Sequence, residues 1–242
     1  MRNYIDMEFL KSKHSRLNKT MLSASILAAI FTIVWFLSSP TLDTTTVMAT
    51  VQNNFSIIWI FILIFALVFE KIAQEKIAGN SFNIRSTILN IRTYSHALMF
   101  NLYWVFFKSV LTYELTSYIG ITILFGPIHH GYIHLILLPI IVIMLYAIWL
   151  IPLIFILTRW LGTLLSALIT FALTLTAIIL PPLFTPWSLF TTTLSSIAGV
   201  ARNGIATNTD NSSLLLWSII TFTIMLVIYE LILKYVTKGT VR

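Results

Sequence analysis

Long apolar runs recur along the whole of this 242-residue chain, which is 58% hydrophobic and only 10% charged. A helix of about 20 apolar residues crosses a bilayer core about 30 Å thick. We therefore predict an all-α integral membrane protein with six transmembrane helices in one domain, residues 1–242. The six predicted spans are Met21–Ser38, Phe55–Ala73, Leu102–Phe125, Leu135–Leu157, Leu161–Leu180 and Leu214–Val236.

The basic residues alternate between the segments that join these runs. The N-terminal segment and the 74–100 connector carry several Lys and Arg, whereas residues 39–54 and 126–134 carry none. Loops rich in Lys and Arg stay on the cytoplasmic side, so both termini and the 74–100 connector are predicted to be cytoplasmic. The net charge of +7 is thus interpreted as a signal of membrane orientation, and no nucleic-acid partner is expected.

The first 19 residues can form an amphipathic helix before the first span. Phe9 and Leu10 are expected on its lipid side, with lysines such as Lys11 reaching the headgroups. A disordered basic leader that only sets the topology is the alternative.

The polar stretch "SFNIRSTILNIRTYSH", residues 81–96, separates the second predicted span from the third. Its spacing predicts a helix with an apolar stripe and a basic stripe. Such a helix could lie on the inner leaflet or insert into a groove of a soluble partner, and composition leaves both open. The residues of the two stripes are Ile84, Ile88 and Leu89 on one side and Arg85 and Arg92 on the other.

The order of these elements resembles the membrane subunit of type-2 ABC exporters. That family has an "elbow" helix with an E-x-x-K core before the first span, matched here by Glu8 and Lys11 in "EFLKSKHS". A glutamate, a Gly followed by a polar residue, a coupling helix and a lysine then come in order in the family. Their counterparts are Glu75, Gly79–Asn80, the 81–96 stretch and Lys108.

The resemblance implies a division of labour between subunits. A separate ABC ATPase subunit would bind the coupling helix through Ile84, Arg85, Ile88, Leu89 and Arg92. The elbow helix would include Glu8, Phe9, Leu10 and Lys11, and residues 181–213 would form an extracellular, re-entrant segment. The chain has no G-x-x-x-x-G-K-[ST] motif, so ATP and Mg are expected on the ATPase, with no cofactor bound here.

The resemblance also implies a cellular role. A second permease copy or a paralogue would complete the path through the membrane. Length and loop pattern are most similar to small permeases of lantibiotic-immunity exporters and of phenol-soluble-modulin exporters. The expected function is therefore export of hydrophobic or amphipathic peptides across the plasma membrane of a bacterium.

Two groups of ionisable residues remain to be explained. Glu114 lies mid-way along the third predicted span, where it could line a translocation path or bond as a protonated carboxyl to a hydroxyl on a neighbouring helix. His129, His130 and His134 include a pair four residues apart, but Gly131 interrupts them, and no metal site and no catalytic residue are predicted. The alternative functions are an intramembrane hydrolase using Glu114 and these histidines, or a non-transporting membrane scaffold.

Overall fold

The computed structural model describes residues 2–36, 44–77, 91–127 and 136–179, together with Thr223 and Val227. The described part of the chain is helical, with no strand. Its α-helices are α1 Arg2–His14, α2 Leu17–Phe36, α3 Thr44–Asn54, α4 Ile60–Ile77, α5 Ile91–Phe125, α6 Leu138–Leu161 and α7 Thr163–Ile179.

Within these residues, three stretches are long and apolar enough to cross a membrane. They are Leu17–Trp35, Thr46–Ile77 and Leu138–Leu161, and they coincide with the first, second and fourth predicted spans. The all-helical fold and these three helices indicate a membrane protein.

The second span starts earlier than the sequence predicts. Residues 44–54 belong to a polar connector in the sequence-based prediction, but they form α3, and a π-helical segment, Phe55–Trp59, joins α3 to α4. The result is one continuous helical stretch that ends at Ile77. The helix is not predicted because the polar side chains of "TTTVMATVQNN" lower the local hydropathy. In the structure, Val47, Met48 and Val51 of this helix are buried against the other helices.

The third and fifth predicted spans also form helices, but neither helix is one of the three stretches that are long and apolar enough to cross a membrane. The third lies within α5, whose 35 residues extend over roughly 50 Å at 1.5 Å per residue. The fifth corresponds to α7, a shorter apolar helix. The sixth predicted span, apart from two isolated positions, and the predicted re-entrant segment 181–213 lie outside the described residues.

Helix α5 is central to the described packing. It contacts α1, α2, α3, α4 and α6, while α7 packs on α4 and α6. The outward faces are apolar too, and a soluble protein would seldom expose so large an apolar area. The stripe on α7 illustrates this, since its exposed residues follow helical spacing: Leu164, Leu168, Phe171, Leu175 and Ile179.

Candidate functional site

A buried ionic cluster joins α1 to α4 and α5. Lys11 Nζ donates to Glu8 Oε1 at 2.7 Å, and Lys71 Nζ on α4 donates to Glu8 Oε2 at 2.6 Å. Asn101 Nδ2 on α5 is 3.4 Å from the Glu8 carbonyl oxygen and 3.2 Å from Ser12 Oγ, and it donates to both. These residues, Glu8, Ser12, Lys11, Lys71 and Asn101, are called the α1 anchor below.

The charge balance of the α1 anchor depends on Glu8. Its side chain is 0% exposed and that of Lys71 is 3% exposed, whereas Lys11 is 41% exposed. Burial raises the pKa of Glu8, but the charge of Lys71 and the hydrogen bonds from Lys11 and Lys71 outweigh it, and the pKa falls below its ordinary value of 4.5. Glu8 is therefore an anion near neutral pH, and it is the counter-ion of a buried lysine.

Aromatic contacts extend the junction along α1. The Tyr4 and Tyr94 rings meet edge to face with centroids 6.3 Å apart, and Lys11 Nζ is 5.5 Å from the centre of the Tyr94 ring. The Phe9 ring lies against Trp104 with centroids 6.4 Å apart. These contacts tie α1 to the first four turns of α5.

The face that α1 buries against the other helices is polar, and Leu10, expected on the lipid side, lies on its exposed face. Glu8 and Ser12, at i and i+4, point into the protein, while Leu10 is 59% exposed. Phe9 packs on aromatic side chains of α5 and is only partly buried. Hydrogen bonds and charge therefore hold α1 to the bundle together with these aromatic contacts.

Lys71 does not pair with its sequence neighbour Glu70. Lys71 turns inward to Glu8 instead. Adjacent helical residues point about 100° apart, so Glu70 and Lys71 cannot share one face.

Most of the expected ATPase-coupling residues lie outside the described part of the chain. Ile84, Arg85, Ile88 and Leu89 lie outside the described residues, and so does the side chain of Arg92. The last part of the 81–96 stretch, from Ile91 onward, forms the first turns of α5. The C-terminal end of the 81–96 stretch is therefore continuous with the longest helix among the described residues.

Glu114 is buried between helices. It is 1% exposed, and the side-chain amide of Gln52 on α3 donates to its Oε2. Its other oxygen, Oε1, has no hydrogen-bond partner within the described part of the chain. Next to it, Tyr113 O–H donates to the Val51 carbonyl at 3.2 Å, so two consecutive residues of α5 hold α3. The role of Glu114 in a translocation path stays a prediction.

Three residues of these sites, Lys71, Asn101 and Gln52, have no direct signal in the sequence. Only the Glu8–Lys11 pair, three residues apart on one helix, is predictable from spacing. A buried carboxylate does demand a partner, but it does not say which helix supplies it. The partner of Glu114 is an amide on α3, whereas the hydroxyl on a neighbouring helix was one of two interpretations that the sequence left open.

No group of three or more His, Cys, Asp or Glu side chains among residues 2–36, 44–77, 91–127 and 136–179 could hold a metal ion. His129, His130 and His134 fall outside those ranges.

Comparison with known proteins gives no relative. No family model matches the chain. No curated protein and no solved structure matches it either.

Proposed function

We propose that this chain is the permease subunit of an ATP-driven ABC exporter that moves hydrophobic or amphipathic peptides out of a bacterial cell or its membrane. Six spans, an N-terminal elbow helix and cytoplasmic termini belong to this proposal, as does a second copy or paralogue that completes the path. The ATPase is a separate polypeptide that binds residues 81–96.

The observation that carries the proposal is the α1 anchor. Helix α4 ends at Ile77 and α5 begins at Ile91, so these two helices flank the proposed coupling segment. Glu8 and Asn101 fasten α1 to both of them through Lys71 and Ser12. A push on the segment between them would therefore reach three helices that are bonded together, because well-packed elements transmit displacement instead of absorbing it.

The direction of transport is set by a difference in affinity for cargo between two states of the transporter. Closure of two ATPase subunits around ATP would displace the two coupling segments and rock the bundles between two states. Cargo moves only if the two states differ in affinity for it. Aromatic and aliphatic side chains dominate the chain, which suits a peptide with a large apolar surface.

The test uses Arg85→Glu and Leu89→Asp in the full chain, reconstituted with a candidate ATPase subunit. Each change should abolish stimulation of ATP hydrolysis and weaken complex formation, because it reverses a charge or places one on the apolar stripe. Lys19→Glu, also a charge reversal but at an exposed position of α2, is the matched control and should leave stimulation intact. Unchanged binding and stimulation in both coupling variants would overturn the coupling assignment. Peptide hydrolysis in the absence of any ATPase would favour the hydrolase, and complex formation without cargo movement would favour the scaffold.

A further inference from the structure

A cleft of about 550 Å³ opens between α1, the start of α2 and α5. Its polar wall carries Lys13, Asn18 and Lys108, with Asp6 at the same opening. Its apolar wall carries Phe9 and the largely exposed Leu10. The cleft is therefore amphiphilic, with cationic donors on one side and hydrocarbon on the other.

The ammonium of Lys108 faces this cleft, and only part of its hydrogen-bonding capacity is used. Its Nζ donates to Asn18 Oδ1 at 2.7 Å, which is its one hydrogen bond among the described residues. An ammonium has three N–H donors, and a neutral amide oxygen satisfies one of them without neutralising the charge. Two donors and a full positive charge remain available in a partly desolvated place.

Asn18 holds that ammonium in position. Its Nδ2 donates to the Ser12 carbonyl at 3.1 Å, so the amide is fixed at the junction of α1 and α2 while its oxygen points at Lys108. The lysine is thereby directed to a set place, which distinguishes it from a freely moving surface lysine.

The balance of charge in the cleft favours an anion. Lys13 and Lys108 outweigh Asp6 by one positive charge. Beyond Lys108, the same face of α5 continues with the exposed side chains Leu111, Leu115 and Ile119, an apolar track that leads away from the polar wall. A ligand with an anionic head and long acyl chains matches both parts.

We propose that the cleft formed by Lys13, Asn18, Lys108, Phe9 and Leu10 binds one anionic phospholipid. The phosphate lies between the two lysines, and the acyl chains run along α5. The site does not depend on an ATPase or on cargo, so it and the proposed transport function fail in separate experiments.

The test is native mass spectrometry of the full-length chain, titrated with phosphatidylglycerol or phosphatidylcholine and read as the ratio of their dissociation constants. Lys108→Gln should reduce the preference for phosphatidylglycerol about fivefold, the ratio that corresponds to about 1 kcal/mol per basic residue near an anionic lipid. Asp6→Asn should change the preference in the opposite direction, because it removes a like charge. Lys19→Gln is the matched control, since Lys19 is an exposed basic residue of α2 that does not line the cleft.

Two outcomes would overturn the proposal. Equal losses in Lys108→Gln and Lys19→Gln would mean that lipid collects around the protein by general electrostatics. Displacement of phosphatidylglycerol by inorganic phosphate at low concentration would mean that the acyl chains contribute nothing, and that the cleft is a phosphate site. If Lys108→Gln does not fold, the Asp6→Asn variant tests the site by itself. The Asp6 side chain is exposed, so it can be exchanged without disturbing the packing. An unchanged preference for phosphatidylglycerol in Asp6→Asn would then refute the site.

Discussion

Lys71 Nζ lies 2.6 Å from Glu8 Oε2, so a lysine of α4 closes an ion pair with a residue 63 positions earlier in the chain. Both side chains are almost completely inaccessible. The pair fixes the first helix of the chain to a membrane-spanning stretch at the point where that stretch approaches the proposed coupling segment.

Removing Glu8 should therefore destabilise the protein far more than removing Lys11. Glu8→Gln leaves the buried Lys71 ammonium without its hydrogen-bonded counter-ion, a change that costs about 3–5 kcal/mol. Lys11→Gln removes the half-exposed partner and should cost less than about 1 kcal/mol. Denaturation of the detergent-solubilised protein measures both values. The double variant Glu8→Gln/Lys71→Met should recover part of the loss, and equal effects of the two single changes would contradict the buried pair.

The same carboxylate predicts a loss of stability in acid. The pKa of Glu8 is lower in the folded protein than its ordinary 4.5, so its contribution is fully present above that value and disappears as the pH falls through the folded pKa. We expect the difference in unfolding temperature between the wild type and Glu8→Gln to be constant from neutral pH to about pH 5 and to shrink in stronger acid. Thermal unfolding across a pH series measures it, and a difference that grows in acid would contradict the assignment.

Local patterns were enough to predict helices at α2, α4 and α6, because apolar runs of that length have few alternatives. They were not enough for α3, whose buried face is interrupted by polar residues such as Gln52 and Asn53. Contacts between helices, such as Lys71 with Glu8, depend on how each helix is rotated and which helix lies next to it. Spacing within one helix carries neither piece of information.

The contact between Gln52 and Glu114 predicts unequal results for two substitutions. Glu114→Gln keeps a side chain that can accept from Gln52 and should change stability by less than about 1 kcal/mol. Gln52→Leu leaves a buried carboxyl without its donor and should cost about 1–3 kcal/mol. Thermal unfolding in detergent measures both. A larger effect of Glu114→Gln would show that the carboxyl has a partner beyond Gln52.

Close contact between α2 and α5 predicts a steric effect at Gly120. A Cβ at this position would lie 2.6 Å from Ile33 Cδ1, the flexible end of a side chain on α2. Gly120→Leu should therefore cost about 1–3 kcal/mol through overpacking, and Ile33→Ala in the same chain should restore part of it. Thermal unfolding in detergent measures these changes. Ala172→Leu, on an exposed face of α7, is the control for an added leucine, and an equal loss there would remove the steric explanation.

The most direct measurement is photo-crosslinking in native membranes, with a photoreactive amino acid placed at Leu89 of the full chain. We predict a cross-link to a nucleotide-binding protein that carries a phosphate-binding loop, identified by mass spectrometry. The same label at Ile123, the exposed far end of α5, should give no such product. Cross-links from Leu89 to lipid alone would contradict an ATP-driven permease.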